Sequence, residues 1–329
     1  MVFADPDLKD GDGNFALIQA VRSGSNGILD IVLRGGANLN LQDSKGGTAL
    51  ICAAVDERKE MVRLLLAFKP QLDLRDVKGR TALIWAVVNG CDSMVDMLLQ
   101  SGADPDVEDH KKETALLLAI MKDRKAIALA LIKSGANLDK KNSNGGFALI
   151  WAVRRNLGTV VDRLLQESPN LNLQDPKGGT ALICAAVEKR DHMVRLLLTS
   201  YPQLNLRDCT GSTALVWAAR NKCMEIVRML LESGADPDIP DNDANTALSW
   251  SIRNGDEEVA NILLQSSNGT KVVRDDGEMP RDQPDRHQTV THDDGEILWH
   301  QRDCRETVAQ PVLQHSSKSI KRRLKNIFS

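Results

Sequence analysis

A single register runs through most of this chain. The triplet Thr-Ala-Leu begins at Thr48, Thr81, Thr114, Thr180, Thr213 and Thr246, and Phe-Ala-Leu begins at Phe15 and Phe147, so that neighbouring copies are 33 residues apart throughout. Eight such units cover roughly residues 9–267. A period of this length is the mark of a repeat array, in which each unit is one supersecondary element that cannot bury its apolar face alone and must stack on the next. The expected fold class is therefore all-α: a solenoid of eight helix-turn-helix repeats.

Within a unit, a turn comes first: Asp43-Ser44-Lys45-Gly46, Asp76-Val77-Lys78-Gly79 and Asp208-Cys209-Thr210-Gly211 put Asp first and Gly fourth, as a type I turn favours. Thr is then placed to N-cap a short helix through its hydroxyl. Leu two residues on and Ala five residues on let neighbouring helices approach closely. After a polar break such as Asn89-Gly90, a second helix carries apolar residues at helical spacing: Met94, Val95, Leu98 and Leu99, matched by Met61, Val62, Leu65 and Leu66 and by Ile226, Val227, Leu230 and Leu231. Gly102, Gly135 and Gly234 suit a left-handed end to that helix. Repeats two, five and six have Lys69-Pro70, Ser168-Pro169 and Tyr201-Pro202 there instead, and proline is expected to stop the helix.

These features resemble ankyrin repeats. The carriers are Thr-x-Leu-x-x-Ala at a 33-residue period, a Leu-Leu second helix, and Gly-Ala-Asp at 102–104 and 234–236. The resemblance covers about four fifths of the chain. It departs from the family's Thr-Pro-Leu-His: Ala49 and Ala82 stand for Pro, and Ile51, Ile84, Leu117 and Val216 stand for His, so apolar packing replaces a polar contact. The segments 81–86, 168–175 and 213–220 also look like the ankyrin region of the kinase-D-interacting substrate family, the ankyrin repeat-rich membrane-spanning scaffolds. That family continues into a P-loop ATPase-like domain and membrane spans. The sequence shows neither, so the resemblance implies the repeat portion alone or a truncated relative.

A second, longer period exists. Lys45–Leu66 and Lys177–Leu198 agree at 18 of 22 positions across an offset of 132 residues, and Phe15/Phe147, Cys52/Cys184 and Cys91/Cys223 are pairs at that offset. A block of four repeats is duplicated, which predicts two similar surfaces along one array.

Four of the five Trp share one phase of the repeat: Trp85, Trp151, Trp217 and Trp250. Cys52, Leu118, Cys184 and Gln19 hold it in the other repeats. On the first helix this phase lies about 200° from the buried Leu, at roughly 100° per residue. It should face away from the core, toward the inner face through which, the resemblance implies, partners bind. Trp buries much area and keeps one donor, which suits a binding track for a protein or extended peptide. The alternative is that each indole completes local packing against its neighbour. Asn89, Arg155, Arg220, Asn221 and Arg253 lie nearby and would tune partner choice. Cys52 and Cys184 are about four helix spacings apart, on the order of 40 Å, too far for a disulfide, and are expected as reduced thiols.

Composition narrows the function classes. Hydrophobic residues make up 42% of the chain but aromatics only 3%, which suits a core of Leu, Ile, Val and Ala in small stacked helices. A net charge of −3 gives no general pull toward nucleic acid. Six Cys without a dense framework fit a reducing compartment, and no apolar run approaches the roughly 18 residues of a membrane span. Residues 1–14 carry four Asp and no apolar stretch, unlike a secretory signal. Asn268-Gly269-Thr270 is a glycosylation acceptor that matters only in a secreted chain. The six His and the acids form no converging catalytic or metal-binding motif, so neither an enzyme nor a cofactor is expected.

The expected organisation is an N-terminal extension (1–8), eight repeats (9–267), a disordered acidic linker (268–317) and a basic tail (318–329). Thr270–Glu306 holds ten acidic and six basic residues. In the tail, Lys318, Lys321, Arg322, Arg323 and Lys325 accompany an apolar stripe at Ile320, Leu324, Ile327 and Phe328. Such a segment fits an anionic membrane, an acidic partner, or importin as a nuclear signal; it also fits a solvated charge run. Terminal repeats look polar, with Ser249, Ser251, Arg253 and Asn254 in repeat eight, so both ends are expected to be finished. The resulting expectation is a monomeric, cytoplasmic, non-enzymatic scaffold; the alternative is a regulatory or targeting subunit of an enzyme, channel or receptor, placed at the membrane or in the nucleus by the tail.

Overall fold

A computed structural model of the chain describes residues 5–10 and 14–269. Among these residues there are sixteen α-helices and no strand. Numbered in chain order, the first helices of the repeats are α1 (Ala16–Ser23), α3 (Ala49–Val55), α5 (Ala82–Asn89), α7 (Ala115–Met121), α9 (Ala148–Arg154), α11 (Ala181–Val187), α13 (Ala214–Arg220) and α15 (Ala247–Arg253). The second helices are α2 (Asn26–Arg34), α4 (Lys59–Ala67), α6 (Asp92–Gln100), α8 (Lys125–Lys133), α10 (Gly158–Gln166), α12 (Asp191–Leu198), α14 (Met224–Glu232) and α16 (Glu257–Gly269). Each first helix packs on the next first helix, and each second helix on the next second helix, without a break. The result is a two-layered solenoid with one continuous apolar core.

The local chemistry is as expected at most joints. The hydroxyls of Thr48, Thr81, Thr114, Thr180, Thr213 and Thr246 accept the backbone N–H three residues on, at 3.1–3.3 Å. Phe15 and Phe147 cannot cap; each instead makes an isolated antiparallel bridge, to Lys9 and Lys141 respectively. The turns close as read: the Gly46 N–H donates to the Asp43 carbonyl at 3.0 Å, and Gly46 has a φ of 72°. The Leu and Ala contact positions of the first helices are buried in repeats one to seven, such as Leu83 and Ala86, as are Met94, Val95 and Leu98 and their equivalents in the second helices from repeat two on, while Leu66, Leu99, Leu231 and Leu248 are half-buried, so the small-residue pattern does what stacking requires.

Three features differ from expectation. At Lys69-Pro70, Ser168-Pro169 and Tyr201-Pro202 proline is not the only stop: Lys69, Ser168 and Tyr201 themselves adopt a φ of 53°, the left-handed geometry that Gly102 and Gly234 provide elsewhere. The following proline bars its predecessor from the right-handed helical region, which leaves the left-handed or extended conformation. The left-handed one costs a non-glycine residue roughly 1–2 kcal/mol.

Second, the first repeat does not present a finished, polar end. Ile28 is 51% exposed and Ile31 72%, whereas the residues equivalent to Ile28, such as Met61 at 2% and Met94 at 0%, are covered by the preceding repeat. No described residues cover the corresponding face of repeat one, whose Ile28 and Ile31 side chains are exposed.

Third, a ladder of side chains stitches the repeats. The carboxylate or amide oxygens of Asp7, Asn40, Asp73, Asp106, Asp139, Asn172 and Asn205 each accept a backbone N–H from the next repeat, from Asn38 through to Asp236, at 2.8–3.1 Å. The linker from residue 270 onward and the basic tail, with Lys318, Lys321, Arg322, Arg323 and Lys325, lie outside the described residues, as do residues 1–4 of the N-terminal extension. No helix of the described residues is long and apolar enough to cross a membrane.

Candidate partner-binding groove

The turns and the first helices share one face of the solenoid. The turns are joined in series: the N–H groups of Val77, His110, Ser143, Cys209 and Asn242 donate to the carbonyls of Lys45, Lys78, Lys111, Lys177 and Thr210 in the preceding turns, at 2.8–3.1 Å. The series skips one step, because Pro176 has no N–H to offer Asn144. Turn tips thus form a wall, and the Trp phase of the first helices lies at its foot.

Trp85, Trp151, Trp217 and Trp250 are all partly buried against the core. Three of them spend their indole donor within their own repeat. Trp85 Nε1 donates to Asp76 Oδ2 at 2.9 Å, Trp217 Nε1 to Asp208 Oδ2 at 2.7 Å, and Trp250 Nε1 to Asp241 Oδ2 at 2.8 Å. Their faces are also engaged. The Arg220 guanidinium lies between Trp217 and Trp250, 4.9 Å and 4.6 Å from the ring centroids, and Arg80 lies 5.0 Å from that of Trp85. The indoles form a stripe whose rings complete local packing and present their remaining surface to the groove.

The other members of the phase behave differently. Cys52, Cys184 and Leu118 are buried and offer a partner little surface, contrary to the expectation that the whole phase faces outward. A short side chain at this position does not reach past the turn, whereas an indole does. Their turn carboxylates are satisfied by arginine: Arg22 reaches Asp43 at 2.5 Å and Arg154 reaches Asp175 at 2.5 Å, each from the preceding repeat, while Arg80 reaches Asp109 at 3.3 Å. Burial pushes the Cys52 and Cys184 thiols up to about 11, against partial opposition from Arg22 and Arg154. Burial likewise raises the Glu113 carboxyl, with Asp109 adding to it. There is no disulfide among the described residues.

Two residues expected to tune partner choice have structural work instead. Asn89 Nδ2 donates to the carbonyls of Ala54 and Val55, both at 3.1 Å, and Asn221 Nδ2 to those of Ala186 and Val187 at 3.3 and 3.1 Å. These are terminal carbonyls of the preceding first helix, which have no partner inside that helix. The repetition of the contact at an offset of 132 residues, with that of Arg22 and Arg154, shows the block duplication as duplicated bonding.

The turn Asp is the residue that sequence reasoning assigned only to the turn and not to the Trp. Its signal was present: Asp76, Asp208 and Asp241 each precede their Trp by nine residues. No group of His, Cys, Asp and Glu among the described residues could hold a metal ion.

Comparison with known proteins agrees with this geometry. Residues 17–109, 101–175, 149–241 and 202–276 match the family described as ankyrin repeats (3 copies). The chain belongs to the ankyrin-repeat family. Among solved structures it is similar to the ankyrin repeat domain of Bcl-3, described as a unique member of the IkappaB protein family. That match has a TM-score of 0.60 and 29% identity, over 67% of this chain and 100% of the other. It is also similar to EF0377, an ankyrin repeat protein, with a TM-score of 0.53 and 30% identity over 56% and 96% of the two chains. No curated protein sequence matches the chain. Ankyrin repeat domains are in general protein-interaction modules, and this one has their architecture.

Proposed function

We propose that this chain is a non-enzymatic scaffold that holds a partner protein or extended peptide along the face shared by the turns and the first helices. The observation that supports this most is the series of joined turns, interrupted at Pro176 alone among the described residues, above a row of partly exposed indoles. A long, rigid, periodic surface is suited to an extended ligand and needs little reordering on binding. Its test is retention of partners by the full chain against a Trp151→Ala/Trp217→Ala variant whose far-ultraviolet circular dichroism is unchanged. Loss of partners supports the groove; identical retention overturns it.

A second reading concerns placement in the cell. The five cations and the apolar stripe of residues 318–329 favour a targeting role at an anionic membrane surface, as a regulatory or localising arm. Similarity of residues 81–86 and 213–220 to the membrane-spanning scaffolds is in keeping with it. Sedimentation with phosphatidylserine vesicles, compared for the full chain and a chain lacking 318–329, tests it. Equal sedimentation of the two overturns it, and importin binding by the full chain alone replaces it with nuclear entry.

A further inference from the structure

From repeat two to repeat six the charged residues at one turn position of the groove wall are all of one sign. Lys45, Lys78, Lys111 and Lys177 hold the same turn position in repeats two, three, four and six, and all four are exposed. None forms an ion pair among the described residues. Each Lys carbonyl accepts the N–H of the next turn, from Val77, His110, Ser143 and Cys209, so the backbone fixes the spacing of the row, while no carboxylate among the described residues pairs with the ammonium groups.

The acids that could neutralise this row point the other way. Asp43 is held by Arg22, Asp76 by Trp85, Asp109 by Arg80 and Asp175 by Arg154. The same carboxylates also accept backbone N–H groups inside the turn, such as that of Lys45 to Asp43 at 2.8 Å and that of Lys78 to Asp76 at 2.8 Å. The turn acids are therefore spent inward and the turn lysines are not. A basic ridge thus stands on a chain whose net charge is −3.

From this we infer that the groove takes an acidic, extended protein segment with carboxylates at every third residue. Helix-to-helix stacking spaces the turns by roughly 10 Å, and three residues of extended chain span about 10 Å at ~3.3 Å each. A segment in register would meet Lys45, Lys78 and Lys111 in turn, skip Asn144 in repeat five, and meet Lys177. Trp85 lies under this path, 5.4 Å from the Lys78 ammonium, and offers apolar surface to the residues between the carboxylates. The row ends at Thr210 and turns acidic at Asp243, which sets where the segment stops. This inference rests on the groove reading above and specifies the partner.

The test is fluorescence anisotropy of the full chain with a labelled peptide of five Glu-Thr-Val triplets, β-branched so as to disfavour helix. It is compared with a permuted peptide of equal composition whose Glu are contiguous, and with single-stranded DNA. Expected are preference for the periodic peptide, weakening with added salt, and a loss of at least roughly tenfold in Lys45→Glu/Lys78→Glu/Lys111→Glu, because three exposed attractions are removed and three repulsions added. These lysines are exposed, so the variant should keep its melting temperature. Equal binding by the variant, or equal binding of the permuted peptide or of DNA, overturns the inference. If the lysine variant still retains the cellular partners that the Trp151→Ala/Trp217→Ala variant loses, the groove reading stands and the acidic specification falls.

Discussion

Asp208 illustrates how much one short side chain does in a turn. One carboxylate oxygen accepts the N–H groups of Thr210 and Ser212 at 2.9 and 3.0 Å and the Thr210 hydroxyl at 2.6 Å; the other accepts the Trp217 indole. Replacing Asp208 with Ala strands these donors, and the expected loss is about 1–3 kcal/mol, read by urea unfolding, with a red shift of tryptophan emission as the indole reorients. The thiols give a second residue-scale prediction. With its thiol raised to about 11, Cys52 or Cys184 carries on the order of a hundredfold less thiolate at pH 8 than an ordinary cysteine. Mass spectrometry after brief iodoacetamide treatment should find Cys209, which is exposed, labelled well before either. The linkage follows in sign. Both thiols bind their protons more tightly folded than unfolded, so the stability they confer is full below about pH 9 and falls as pH rises toward about 11. A denaturation midpoint that stays flat across that window would contradict it.

At the scale of elements, position in the stack governs what a side chain is worth. Met94 in α6 is fully buried between neighbours, and Met94→Ala should cost about 2–5 kcal/mol. Ile28 in α2 has the same place in the repeat but is exposed, so Ile28→Ala should cost under about 1 kcal/mol. Chemical denaturation of the two variants checks the ratio. The identity of the helices, their Thr caps and the turn chemistry were legible because each depends on residues within a few positions. The left-handed Lys69, Ser168 and Tyr201 were not, since Lys, Ser and Tyr carry no mark of that conformation. The Asx ladder from Asp7 to Asn205 did have a signal, a second Asp or Asn at the 33-residue period, but its partner is one repeat away.

For the molecule as a whole, each repeat touches only its neighbours, so stability is close to a sum of repeat and interface terms. The one missing rung in the turn ladder among the described residues, at Pro176, falls between repeats five and six. Pro176→Ser would restore a donor, a gain of about 0.5–1.5 kcal/mol, but would free the unfolded chain at a cost of about 0.4–1 kcal/mol. A net change under about 1 kcal/mol is expected by thermal unfolding. A larger gain would mean that this seam limits coupling along the array.

The sequence by itself determined the architecture. A strict period, small residues at the helix contacts and Asp–Gly turns leave a stacked helical array as the solution that buries the apolar faces. It also located the Trp phase and the duplicated block. Only the tertiary structure decided which members of that phase reach the surface, where the indole donors go, and that the turn acids face inward while the turn lysines do not. Those outcomes depend on side-chain length, and on contacts between residues nine or more positions apart or in separate repeats. A linear pattern specifies the phase of a residue but not the partner that meets it.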